Sequence, residues 1–91
     1  MFASLGKNII LGEATINQLS KKRIHLIILA NDIGDSQKKK FTDKASYYNC
    51  PIIYYKTKEE LALLLNKGSI SCIGIKDLKL AQAIIKEKEV D

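Results

Sequence analysis

An α/β fold with helices on both faces of a mixed or mainly parallel sheet is what this sequence predicts, and three observations predict it. Short apolar, β-branched or aromatic runs alternate with segments of helical period from one end of the chain to the other. The connections between them are short, which places consecutive elements side by side. The chain has 91 residues, 46% of them hydrophobic, which suits one compact core and a single domain over residues 1–91.

"NIIL", residues 8 to 11, is a candidate short strand ahead of the first full helix, which runs from Gly12 to Lys22 with Ile16 and Leu19 three apart. In "RIHLIILAND", 23 to 32, Ile24 precedes an unbroken apolar run from Leu26 to Ala30, the pattern of a strand covered on both faces. Residues 35 to 49 form an amphipathic helix around Phe41, Ala45 and Tyr48, with lysines on the rest of its circumference. "PIIYY", 51 to 55, is the next strand, bounded by Asn49 and Pro51. Thr57 and Glu60 then make a T-x-x-E capping box ahead of the helical run Leu61 to Leu65, since each side chain can satisfy an orphan N–H of the first turn. "ISCIGI", 70 to 75, follows the turn residues Gly68 and Ser69 as the last strand. Asp77 is a good N-cap for a final helix through Leu78, Leu80, Ala81, Ile84 and Ile85, and Lys86 and Lys88 near its end complement the helix dipole.

Fifteen Lys plus Arg against ten Asp plus Glu give a net charge of +5, which favours a polyanionic partner. No apolar stretch approaches the length of a membrane span, and the Met-Phe-Ala-Ser start lacks the basic and apolar regions of a secretory signal. A cytoplasmic protein with reduced thiols is expected, Cys72 buried within an apolar run and Cys50 at the edge of one.

The constellations of catalysis and cofactor binding are missing or have plainer readings. Cys50 and Cys72 lie 22 positions apart without a CxxC, and His25 is the sole histidine, which argues against a metal site and against a Cys–His nucleophile. Only Gly34 falls where a dinucleotide fingerprint would need three glycines, and the P-loop pattern is absent. Asp32 and Asp35 resemble a carboxylate pair at a strand end, but their plainer role is to turn the chain and cap the next helix. Phe41, Tyr47, Tyr48, Tyr54 and Tyr55 resemble a base-stacking platform, yet their spacing fits core and rim: Phe41 and Tyr48 repeat on one helix face, and Tyr54 and Tyr55 point to opposite sides of a strand. The clusters Lys21-Lys22-Arg23 and Lys38-Lys39-Lys40 with Lys44 fit a solvated helix face, and the first also fits a helix C-terminus.

Taken together, the order of elements and several local strings resemble the ribosomal-protein L-seven-Ae / L-thirty-e family of kink-turn RNA binders, and within it the short bacterial YlxQ-type branch. The resemblance runs from "LGK" (5 to 7) to the last helix, and it is most specific in "FTDKASYYNCPIIYYKTKEELALLL" (41 to 65), preceded by "LIILANDIGDSQKKK". It implies a three-layer α/β/α sandwich and a non-enzymatic, monomeric, RNA-binding protein without cofactor or small-molecule substrate. The RNA implied is kinked or carries an internal loop, and the ribosome is a place to find it. Carried over residue by residue, a first contact region is Gly12, Glu13, Asn17 and Lys21, with Lys22 beside it; a second is the loop Asn66, Lys67, Gly68, Ser69, Ile70 and Ser71. Glu13 would accept from a guanine amino group, Asn17 would read a base edge, and Lys21 and Lys22 would neutralise phosphate. Gly12 would permit close backbone approach. Asn17 and Leu63 stand where the family carries lysines, which motivates an alternative expectation: a protein-interaction or regulatory domain that keeps the fold without specific RNA binding.

Overall fold

The structure, a computed structural model, describes residues 9–65, 68 and 70–90. Four strands and four helices alternate: β1 (Ile9–Leu11), α1 (Ala14–Ser20), β2 (Leu26–Leu29), α2 (Asp35–Tyr47), β3 (Ile52–Tyr54), α3 (Lys58–Leu65), β4 (Cys72–Ile75) and α4 (Leu78–Val90). Every strand and helix expected from the sequence is present, including the short first strand. No helix among the described residues is long and apolar enough to cross a membrane.

The strands form one sheet in the order β1-β4-β2-β3. Only β2 and β3 are parallel; β4 lies antiparallel to both β2 and β1. The sheet is therefore mixed, and a mainly parallel sheet is excluded. Strict alternation suggests parallel crossovers, but the chain leaves β3 and re-enters β4 at the same end of the sheet, because Cys72 pairs with Leu29 and Ile75 with Leu26.

Alternate side chains of the central strands feed two cores. Leu26, Ile28, Ala30, Ile73 and Ile75 pack with Leu61 of α3 and with Ala81 and Ile84 of α4. Ile27, Leu29 and Cys72 pack on the other side with Leu19 of α1 and with Phe41 and Ala45 of α2. The result is three layers, with α1 and α2 on one face and α3 and α4 on the other. Each fully buried Leu or Ile contributes about 1.5–3 kcal/mol, so the two central strands hold the fold together. Tyr54 packs toward the α1–α2 core and Tyr55 toward the other, as the strand alternation requires.

Gly74 sets how closely α1 lies on the sheet. A Cβ there would stand 2.7 Å from Thr15 Cγ2 and 2.9 Å from Ile10 Cγ2. The missing side chain admits the buried Thr15, whose hydroxyl donates to Ile10 O at 3.5 Å.

The helix ends follow local chemistry, with two corrections. At α3 the capping box forms in both directions: Thr57 N donates to Glu60 Oε1 at 3.0 Å and Glu60 N to Thr57 Oγ1 at 3.1 Å. Asp77 Oδ1 accepts from Lys79 N at 2.8 Å and Leu80 N at 3.2 Å, capping α4. Asp32 does not cap the helix that follows it; its Oδ1 accepts from Lys58 N at 2.8 Å, the first residue of α3, because the turn after β2 lies beside the turn after β3. Asp35 is the first residue of α2 rather than its cap, a place where a carboxylate suits the helix dipole.

Candidate nucleic-acid interface

Two edges of the sheet matter for the candidate residues. At the first, β1, β2 and β3 end and β4 begins; at the second, β2 and β3 begin, and α1 and α2 end beside the start of α4.

Gly12 stands at the first edge with φ +63°, a left-handed conformation that glycine adopts without steric penalty, and open space lies where a side chain would be. Its N–H donates to Cys72 O at 3.1 Å, which ties the tip of α1 to the start of β4. Glu13 follows in the N-cap position and makes no side-chain cap bond, so its carboxylate projects outward. That carboxylate accepts from Lys40 Nζ of α2 at 2.7 Å. The hydrogen bond from Lys40, reinforced by its charge, holds the Glu13 carboxyl below the ordinary carboxylate range. The tip therefore carries an ionised acceptor, held in place from the neighbouring helix.

Asn17 and Lys21 follow Glu13 at successive intervals of four, and all three side chains are exposed, so they form one stripe down α1. The helix is shorter than its period suggested. It ends at Ser20, and Lys22 and Arg23 lie beyond it. Lys22 N donates to Leu19 O at 2.9 Å and Arg23 N to Gln18 O at 3.0 Å, with Lys22 at φ 59°, which is a Schellman turn with lysine where glycine is usual. Lys21 and Lys22 accordingly belong to the second edge, eight or nine positions and about 12 Å of helix away from Glu13.

The second expected contact region divides. Asn66, Lys67 and Ser69 lie outside the described residues. Gly68 is exposed, and Ser71 is half-buried at the first edge, its carbonyl accepting from Ala30 N at 2.9 Å. Ile70 is not a surface contact: it is 5% exposed and packs in the α3–α4 core with Ile73 and Ile75, although it precedes β4 and shares its parity with Cys72 of the other core. The structure thus gathers Gly12, Glu13 and Ser71 toward one edge and leaves Lys21 and Lys22 at the other. Sequence reasoning missed Lys40, 27 positions from its partner Glu13, a separation that carries no periodic signal.

Neither cysteine is poised as a nucleophile. Burial pushes the Cys50 thiol up to about 11 and the Cys72 thiol up to about 12. Asp32 is occupied at the start of α3.

Comparison with known proteins bears on the fold and the family. A structure of a protein of unknown function from Bacillus halodurans superposes with a TM-score of 0.86 at 25% identity, covering 92% of this chain and 86% of that one. The RNA-binding protein YlxQ of Enterococcus faecium is 32% identical over 62 residues, 68% of this chain and 60% of that protein's length. The sequence model of the ribosomal protein L7Ae/L30e/S12e/Gadd45 family matches residues 3–88. With nearly its whole length matched and its layers arranged as that resemblance implies, the chain belongs to the ribosomal protein L7Ae/L30e/S12e/Gadd45 family.

Proposed function

We propose that this chain is a non-enzymatic, cytoplasmic RNA-binding protein that reads a kinked or internal-loop RNA, in association with the ribosome. The observation that carries the proposal is the tip of α1: an ionised Glu13 carboxylate on a left-handed Gly12 turn, with no side chain to keep a ligand from the backbone. A carboxylate accepts from exposed guanine or cytosine amino groups, which a kinked RNA presents and an ordinary A-form groove hides. Lys40 beside it neutralises part of the repulsion between Glu13 and phosphate. The family match and the name of the similar Enterococcus protein support RNA as the partner.

The test is binding of a kink-turn RNA and a plain duplex of equal length at moderate salt. The kinked RNA binds more tightly, and Glu13→Ala narrows that difference by about 1–3 kcal/mol, the worth of one good base contact. Lys21→Ala weakens both RNAs alike and flattens the salt slope by about 0.7–0.9 for each phosphate no longer neutralised. Equal affinity of the wild type for the two RNAs would defeat the reading, as would cosedimentation with a protein partner alone and not with ribosomes for its ribosomal part.

A further inference from the structure

At the second edge an open cleft of about 830 Å³ lies between the ends of α1 and α2 and the start of α4, with Lys22, His25, Tyr47, Tyr48, Asn49 and Leu78 among its walls. Tyr47, the last residue of α2, is 78% exposed. Its ring meets that of Tyr48 edge-on, with centroids 4.8 Å apart and planes at 80°, so the two rings make a corner. None of the described residues lining the cleft is acidic, and Lys22 sits within it while Lys21 and Arg23 are exposed next to it in the chain.

We infer that this cleft is a second RNA site, which takes an unpaired nucleotide: the base stacks on the exposed face of Tyr47, and Lys21, Lys22 and Arg23 hold the flanking phosphates. The inference deepens the proposed function, since it takes RNA as the partner, but apart from Lys21 it uses different residues. Three features favour a nucleotide over an acidic peptide. An exposed aromatic corner matches a flat base, and base stacking needs no particular sequence. Asn49 and Gln82 in the walls bring amides that can donate to and accept from base edges. The exposed stripe Glu13, Asn17 and Lys21 leads from the tip of α1 to the cleft, so one RNA held at the tip has a polar path along the helix to the second site. The Schellman turns of α1 and α2 keep the walls in place: Lys22 and Asn49 are both fixed at positive φ by two backbone hydrogen bonds each.

The test is titration of the full chain with a 5′-phosphorylated adenosine hexanucleotide, which cannot form a kink, and separately with a glutamate hexapeptide, read by backbone amide shifts. The hexanucleotide shifts residues 22, 25, 47–50 and 78. Tyr47→Ala weakens its binding about tenfold, within the range for losing one stacked base, while Tyr47→Phe stays within about twofold. Lys22→Gly, which removes the charge and relieves the positive φ, weakens it about threefold. Gln37→Ala, exposed in the first turn of α2, leaves it unchanged. An unaltered affinity of Tyr47→Ala overturns the inference, as do shifts confined to the Gly12–Glu13 edge or a hexapeptide that moves the cleft residues more than the hexanucleotide does. Cleft shifts with the hexanucleotide, together with equal affinity for kinked and plain duplex RNA, support this site and fail the tip; kinked-RNA preference with no cleft shifts does the reverse.

Discussion

The two ends of α1 solve different problems with different means. The N-terminal end is open: Gly12 takes its left-handed turn freely, Glu13 faces solvent, and the one ion pair found among the described residues, with Lys40, steadies the carboxylate. The C-terminal end is tight: Lys22 is forced to φ 59° by two backbone hydrogen bonds, in a position that L residues other than Asn and Asp rarely adopt. The end of α2 has the same turn with Asn49 at φ 56°, where the residue suits the conformation. Lysine at 22 is thus kept against local preference. Residues held in such conformations cluster at functional sites, which agrees with a phosphate contact there.

The largest expected effect breaks both ends at once. Gly74→Ala drives a methyl into Thr15 and Ile10 and displaces α1 from the sheet, with a loss of about 1–3 kcal/mol in urea unfolding. RNA binding at both ends declines with it, whereas surface substitutions on α1 separate them. A smaller effect of opposite sign sharpens the contrast between the two turns. Lys22→Gly raises stability by about 1 kcal/mol by removing the left-handed penalty, while Asn49→Gly changes it by only about a few tenths. Equal gains at the two positions would show that lysine is not strained there.

The last effect, read against pH, concerns one cysteine at each end. Cys72 lies beneath Thr15 with its thiol 3.9 Å from the Thr15 hydroxyl, and Cys50 lines the cleft. Both thiols are raised in the folded state, so their contribution to stability is complete below the unfolded thiol range near 8.5. It is lost as pH rises toward about 11 for Cys50 and about 12 for Cys72. Unfolding midpoints therefore decline between pH 9 and 11, and Cys50→Ala removes part of that decline. At pH 8, alkylation reaches half-buried Cys50 first and Cys72 only as fast as the protein opens.

Most of the architecture is legible in particular residues. The Leu26–Ala30 run could satisfy its uniform apolarity only between two layers, and Thr57, Glu60 and Asp77 mark their helix starts because capping is a contact between near neighbours in sequence. The direction of β4 is not legible, since strand polarity depends on where the chain re-enters the sheet. The burial of Ile70 is partly readable: it continues the strand's apolar run, but its assignment to the contact loop comes from resemblance rather than from that pattern. Nothing local announces that Asp32 caps α3 or that Lys40 holds Glu13, because each joins residues more than 25 positions apart.

Which residues form the central strands, where the capped helices start, and the surplus of positive charge all follow from the order of amino acids. Those properties depend on periodicity, caps and composition, which act over a few residues or over the sum of all. That Lys22 stands with Tyr47 and Asn49 rather than with Glu13 is a property of the assembled fold alone. A helix carries its two ends to opposite edges of the sheet, and the neighbours each end finds there come from distant parts of the chain.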